Sequence, residues 1–285
     1  MAFQAPSIEA ADDGLPMRPS GFWTYDKLHY LNEYLCRFIV SMRQKNWRAI
    51  YYIDLFAGPG RNRLDNGRVI HGSPILALSQ PCPFDRYFFG DSNSSLIDVL
   101  KQRCNAFSDR AKDIEYLVGD ANETVDEVCR YIRQKDKVYM PQVGQSLNLA
   151  FLDPEGLELH WETVAKLAGY RTDMIIYYPQ MGITRDAEIS PEAIDLFFGD
   201  AYWRQIYSQH KRGEIQHLHR ALLDYYKQNL QKFGYVVEEP SLEPLFTNSK
   251  EAPLYRLLFV SKHKLGNKFW EDVNKKLPNG QMRLF

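Results

Sequence analysis

Four aspartates, Asp54, Asp91, Asp120 and Asp153, each close a short apolar run, and they follow one another at intervals of 37, 29 and 33 residues. The runs read YYID, RYFFGD, IEYLVGD and LNLAFLD. A strand, a crossover helix and a return to a parallel strand repeat with about this period, so the series delivers four carboxylates to one edge of a sheet. Carboxylates at such an edge can meet an ammonium, the hydroxyls of a ribose or the amino group of an adenine. Any one of them alone reads as well as a helix cap. The ordered series is what makes them informative.

The first acid leads at once into Phe56, Ala57, Gly58, Pro59 and Gly60. Two glycines around a proline let the backbone approach a ligand closely at the carboxyl end of a buried strand. The pattern D-x-F-x-G-x-G is not the dinucleotide fingerprint G-x-G-x-x-G, because a phenylalanine replaces the first glycine. The last acid opens Asp153-Pro154-Glu155-Gly156. Asp153 and Pro154 are candidates to face a reacting group. Glu155 reads equally as a general base, a cation ligand or a plain exposed turn carboxylate.

A second class of candidates is basic. Between the glycine turn and the next helix signal lie twelve residues, RNRLDNGRVIHG, holding Arg61, Arg63 and Arg68 against Asp65. Loops at strand ends commonly hold substrate, and arginines there suit phosphate or carboxylate; solvated surface arginines are the alternative. His71 and Ser73 at the end of this loop, and Lys27 far upstream, join them as substrate-binding candidates. A further basic and aromatic stretch runs from Trp203 to Lys232, with Arg204, Lys211, Arg212, Arg220 and Lys227 interleaved with tyrosines. It suits either phosphate neutralisation with stacking or the solvated face of an amphipathic helix.

The elements that must position these residues alternate. Residues 1–21 read as a loose arm. Leu28, Leu31, Leu35, Phe38, Ile39 and Met42 then recur at helical spacing, with Thr24 as a candidate cap. After the first strand and the inserted loop, Ser73 and Pro74 open a helix. Strands ending at Asp91, Asp120 and Asp153 follow, with a loose stretch before Ser146, and DMIIYYP reads as a fifth strand. Residues 187–232 exceed a normal crossover and read as a helical insertion. FGYVVEE and LYRLLFVSK close the chain as an antiparallel pair. The expected fold is α/β, a Rossmann-like seven-stranded and mostly parallel sheet, in one domain over 22–285.

Composition excludes several classes. Lys and Arg number 35 against 36 Asp and Glu, a net charge of −1, so any contact with nucleic acid must be local. No apolar run approaches the length of a membrane span, and the start lacks the order of a secretory signal, which places the protein in the cytoplasm. Cysteines 36, 82, 104 and 129 match neither a zinc ribbon nor a disulfide framework and read as free thiols. No metal site is expected.

With YIDLFAGPG, HGSPILAL, GDSN, GDAN and FLDPEG, the chain resembles the three-Cys-motif partner protein family, a group with a fold like the class I S-adenosylmethionine (SAM) methyltransferases. WTYDKLHYLNEYL and FFGDAYW also resemble that family, so the likeness spans roughly residues 22–270. It implies a SAM-dependent methyltransferase-like protein whose acceptor is not established; a nitrogen or oxygen acceptor is expected, and the arginine loop and the 203–232 segment make nucleic acid a candidate. It also implies a radical-SAM-like three-Cys-motif protein as partner. Residue by residue, the turn Phe56–Gly60 would pack on the methionine portion of SAM with Asp54 orienting it or the ammonium. Asp91 and Ser92 would meet the ribose, Asp120 and Ala121 the adenine, and Asp153, Pro154 and Glu155 the reacting methyl.

Cytosine-C5 chemistry needs a cysteine after the fourth strand, and none follows Cys129. The turn DPEG also lacks the aromatic with which adenine methyltransferases stack a flipped base, leaving base methylation open but unsupported. Two other readings remain: a catalytically silent SAM-binding subunit serving a partner enzyme, and a nuclease holding Mg²⁺ on Asp54, Asp153 and Glu155.

Overall fold

The computed structural model describes residues 3–137, 145–237, 242–276 and 281. Helix α1 (Trp23–Met42) precedes the first central strand, and its buried face carries Leu28, Leu31, Leu35, Phe38, Ile39 and Met42 as the periodicity requires. Thr24 does not cap it: the helix begins at Trp23, after Phe22, and Thr24 is buried in its first turn.

Strands β2 (Ile50–Asp54), β5 (Arg86–Asp91), β6 (Ile114–Val118), β7 (Leu147–Leu152) and β8 (Thr172–Tyr178) form the parallel part of the sheet. The order across it is β6-β5-β2-β7-β8, and the long antiparallel β11 (Pro253–Ser261) then pairs with β8. Beyond β11 lie β9 (Val236–Val237) and β10 (Leu245–Thr247), both antiparallel to it. The seven expected strands are present and β10 is an eighth. Of the strand read from FGYVVEE, Glu238 and Glu239 lie outside the described residues, as do residues 138–144 of the stretch before Ser146.

Both faces of the central strands are buried, which is why β2 and β7 read as unbroken apolar runs. Alternate residues serve two cores. Tyr52, Phe89, Phe151 and Phe259 face one side, covered by α1, α2 (Ser73–Leu78), α3 (Ser94–Cys104) and α11 (Lys264–Asn274). Ile53, Phe88, Leu152 and Val260 face the other, covered by α5 (Ala121–Asp136), α6 (Trp161–Ala168), α7 (Gln180–Asp186), α8 (Pro191–Phe198), α9 (Tyr202–Lys211) and α10 (Leu218–Gln231). Helices α8, α9 and α10 occupy the region read as an insertion. The remaining short helix, α4 (Ser108–Ala111), precedes β6.

Two features depart from the sequence reading. The stretch from Arg61 to Gly72 is no irregular loop but a hairpin, β3 (Arg61–Leu64) and β4 (Val69–His71), turned through Asp65 to Arg68. Nor is the N-terminal arm loose. Its β1 (Arg18–Ser20) pairs in parallel with β3, making a separate three-stranded sheet, and Ile8 is buried in the first core. The docking rests on the pairing of β1 with β3, the burial of Ile8 and the buried Arg103 holding Asp13, while at the surface Glu9, Asp12 and Asp13 meet Arg68, Arg63 and Arg61 respectively. Each half looks polar and unstructured alone because its partner is 50 residues away.

Among the described residues no helix is long and apolar enough to cross a membrane.

Candidate functional site

The site is built on the turn after β2. Asp54 is fully buried, and one of its oxygens accepts the Phe56 backbone N–H at 3.3 Å. Burial pushes its carboxyl up to about 7, opposed by hydrogen bonds from Ser73 and Phe56 and reinforced by Asp153 and Asp91. Asp54 therefore orients the turn from beneath and lines neither of the two cavities at this edge. Gly58 (φ 59°) and Gly60 (φ 83°) take the left-handed backbone that favours glycine. The turn is tied to β5 by Ala57 N–H donating to the Gly90 carbonyl at 2.7 Å and Gly58 N–H donating to Asp91 at 3.0 Å. The other Asp91 oxygen accepts from Asn93 N–H at 2.8 Å. Asp120 caps α5, accepting the Asn122 N–H at 2.7 Å.

Two cavities open at this carboxyl edge. The first, about 310 Å³, runs across the ends of β2, β5 and β6, where Phe56, Asp91, Ser92, Asp120 and Ala121 line it. The second, about 270 Å³, lies between the glycine turn, the start of α1 and the ends of β7, β8 and β11. Its walls include Lys27 and Ser73, the backbone of Gly58 to Gly60, and a set of aromatic rings from Trp23, Tyr177 and Tyr255. Arg18, Phe56, Asp153 and Glu155 border both.

Two ion pairs mark that border. Lys27 Nζ lies 2.5 Å from Asp153 Oδ2, with side chains 12% and 11% exposed, and 5.5 Å from the Tyr255 ring centroid. Asp153 Oδ1 is buried and has no hydrogen-bond partner. A buried orphaned acceptor is costly, and here it sits where a ligand can satisfy it. Arg18 from the arm reaches Glu155 at 2.8 Å, a pair whose glutamate is largely exposed and which adds little to stability.

The structure gathers only part of the substrate-binding set. Lys27 and Ser73 are in the second cavity. Arg61 borders it but is engaged by Asp13 at 3.0 Å and the Ala11 carbonyl. Arg63, Arg68 and His71 line neither cavity: the arginines pin the arm, and burial together with Arg61 and Arg103 pulls the His71 imidazole down to about 4. The basic and aromatic stretch is also largely committed internally. Arg204 pairs with Asp195, Lys211 with Glu188, Arg212 with Glu214, and Arg220 and Lys227 with Glu243, while Trp203 and Tyr226 are core residues. None of these borders either cavity.

Arg18, Trp23, Tyr177 and Tyr255 are site residues that the sequence reading lacks. Tyr177 carried a signal, since it nearly ends a strand parallel to the other four; Arg18, in an arm read as loose, carried none. Among the described residues no group of three or more His, Cys, Asp or Glu is placed to hold a metal ion, so Asp54, Asp153 and Glu155 do not converge as the nuclease reading requires.

Asp54 has a counterpart at the opposite edge of the sheet, Asp173, which burial also pushes up to about 7. In the unfolded chain both titrate near 4, so between about pH 4 and 7 the folded protein holds the extra protons. Stability therefore falls as pH rises through that window, by up to about 1.4 kcal/mol per pH unit for each group. Asp54→Asn is expected to flatten this slope in urea unfolding measured from pH 5 to 8. An unchanged slope would show that the carboxyl is ionised throughout.

The chain matches no protein-family model and no curated protein. Among solved structures it is similar to a Legionella pneumophila protein of the DUF519 family, at TM-score 0.48 and 11% identity over 86% of this chain and 88% of that one. The O-methyltransferase TomG from Streptomyces achromogenes, solved with SAM, gives 0.42 and 13% over 83% and 80%. A precorrin-6y C5,15-methyltransferase from Geobacter metallireducens gives 0.38 and 12% over 90% and 97%. Such distant likenesses transfer no residue's role. The Rossmann-like α/β class follows from the chain's own strand order.

Proposed function

We propose that this chain is a SAM-dependent methyltransferase acting on a nitrogen or oxygen acceptor. The observation that carries the reading is the pair of adjoining cavities at the carboxyl edge of the sheet, sharing Phe56, Asp153 and Glu155 as a common wall. One cavity offers Asp91 and Ser92 for a ribose and Asp120 and Ala121 for an adenine. The other presents Lys27, Asp153 and aromatic rings to a second molecule.

The residues fit such a cofactor on two counts: the carboxylates Asp91 and Asp120 line one lobe, and the orphaned Asp153 Oδ1 belongs to a side chain on the border with the other. When bound, SAM supplies an electrophilic sulfonium methyl. What the chain supplies is position and proton handling. Asp153 Oδ1 is free to accept an N–H or O–H hydrogen bond from an acceptor. Lys27 fixes the other oxygen, Oδ2, so that Oδ1 keeps one direction. Tyr177 and Tyr255, with ring centroids 4.5 Å apart, form an aromatic wall of the second cavity. Family membership with the three-Cys-motif partner proteins, and a radical-SAM-like companion, belong to this proposal on the strength of the quoted motifs. The arginine loop and the 203–232 stretch, the grounds for nucleic acid as a candidate acceptor, engage their charges in ion pairs within the chain.

Calorimetric titration with SAM and with S-adenosylhomocysteine tests it. Micromolar binding of either, weakened about tenfold or more by Asp120→Ala, is expected; removing Asp120 as a cap costs about 1 kcal/mol of stability and leaves the fold intact. A folded protein that binds neither would sink the reading. Binding with no transfer of labelled methyl to nucleic acid, protein or small molecules of a cell extract would favour the silent subunit, for which the ion pair occupying Glu155 speaks.

A further inference from the structure

At the opposite, amino-terminal edge of the parallel strands lies a cavity of about 440 Å³ that the reading above does not use. Its walls are apolar on one side: Phe38 and Met42 of α1, Leu147 at the start of β7, and Leu265 and Phe269 of α11. The other side is polar and unevenly charged. Arg171, Lys262 and Lys45 border it against a single acid, Asp173. That acid is buried, accepts from the Tyr34 hydroxyl at 3.3 Å, and burial holds its carboxyl near neutral pH in titration.

Donors there exceed acceptors. The indole Nε1 of Trp47, also in the wall, is buried with no hydrogen-bond partner. Lys262 Nζ spends two of its three donors on the carbonyls of Ala168 and Tyr170, at 2.6 and 3.2 Å. Arg171 uses Nε on Gln145 at 3.1 Å and lays its guanidinium over Trp47 at 5.8 Å. The amino end of α11, an eleven-residue helix, borders the same space through His263, Leu265 and Gly266; His263 caps it, accepting the Leu265 N–H at 3.1 Å and the Gly266 N–H at 3.0 Å, so the helix adds only its dipole to the cationic side chains. An added Cβ at Gly266 would come within 2.5 Å of Ser261 Oγ and 2.9 Å of Asp173, so α11 is seated tightly on this edge.

We propose that this cavity binds an amphipathic monoanion, an aromatic or branched apolar body carrying one carboxylate. The apolar body lies against Phe38, Met42, Leu265 and Phe269. The carboxylate takes the Trp47 indole N–H and lies beside Arg171 and Lys262. Charge-assisted bonds of this kind are the strong ones, and the dry apolar wall supplies the rest of the affinity.

The test is calorimetric titration of the full chain with 1-naphthaleneacetate and, in parallel, with its neutral counterpart 1-naphthaleneethanol. Saturable binding of the acid is expected, with the alcohol weaker by about tenfold or more. Trp47→Phe keeps a six-membered aromatic ring while deleting the donor with the fused pyrrole; Arg171→Gln removes an exposed charge. Each should weaken the acid about tenfold while leaving the alcohol and the melting temperature unmoved. S-adenosylhomocysteine should not compete, which separates this site from the carboxyl-edge cleft. Failure of the acid to saturate, equal affinity for acid and alcohol, wild-type affinity in both variants, or displacement by S-adenosylhomocysteine would each overturn the proposal.

Discussion

Asp153→Asn is expected to lower methyl transfer by about 10² to 10⁴ while S-adenosylhomocysteine binds within about threefold of wild type. The substitution keeps the shape of the side chain and its place beside β7. What it loses is the negative charge that pairs with Lys27 at 2.5 Å and the acceptor strength of the buried Oδ1. Because the side chain lies on the border of the two cavities, its loss falls on the reacting end and not on the nucleoside end. The measurement is tritium transferred from methyl-labelled SAM into the fractions of a cell extract, beside calorimetry of the same sample. Lys27→Met should cost less than the asparagine, because Asp153 keeps its acceptor and gains freedom to turn. Transfer within threefold of wild type in Asp153→Asn would remove Asp153 from the chemistry.

Arg103→Met is expected to destabilise the protein by about 3 to 5 kcal/mol, the usual consequence of breaking a buried, multiply bonded ion pair. Arg103 is 6% exposed and lies near the end of α3. Its guanidinium donates to both oxygens of Asp13 at 2.9 Å, to the carbonyls of Leu15 and Pro16 at 3.2 and 2.9 Å, and to the carbonyl of Pro59 at 2.6 Å. One side chain thus fastens the arm to the glycine turn. Removing it leaves an acid and three carbonyls short of donors, so the melting temperature should fall by about 10 °C. Limited proteolysis should cut within residues 3–20 at the same time. A lysine cannot reproduce the planar fork, so Arg103→Lys should recover less than half of the loss. A melting temperature within 2 °C of wild type would show that the arm is held otherwise.

What was legible in the sequence and what was not divide along a physical line. The central parallel strands β2, β5 and β7 were legible because they are buried on both faces, giving apolar runs that end at acids; edge strand β6 was read from its place in the same series. So was α1, whose leucines repeat at the helical period. Asp91, Ser92, Asp120, Ala121, Phe56 and Asp153 therefore stand in the cavities where the strand series put them. Asp54 faces away: it is held beneath the turn by the Phe56 N–H and Ser73, whereas Asp91, equally the last residue of its strand, takes the Gly58 N–H and borders the cavity. The hairpin from Arg61 to His71 and the arm were illegible for a different reason. Their order comes from partners far away in sequence, β1 on β3 and Arg103 on Asp13, and no local pattern records a distant partner. The arginines read as substrate ligands are consequently structural. Helix α11 was also missed, since its buried face rests on only a few apolar residues, Phe269, Trp270 and Val273, too few to outweigh the polar run around them.

The Arg18 to Glu155 contact has a thermodynamic corollary. These two side chains belong to the walls of both carboxyl-edge cavities, so a molecule in one lobe that shifts the pair changes the free energy of filling the other. Linkage then demands symmetry. Whatever factor the nucleoside ligand applies to the affinity of the second molecule, the second molecule must apply the same factor in return. Arg18→Ala should drive that factor toward one, uncoupling two occupancies that the arm otherwise makes interdependent.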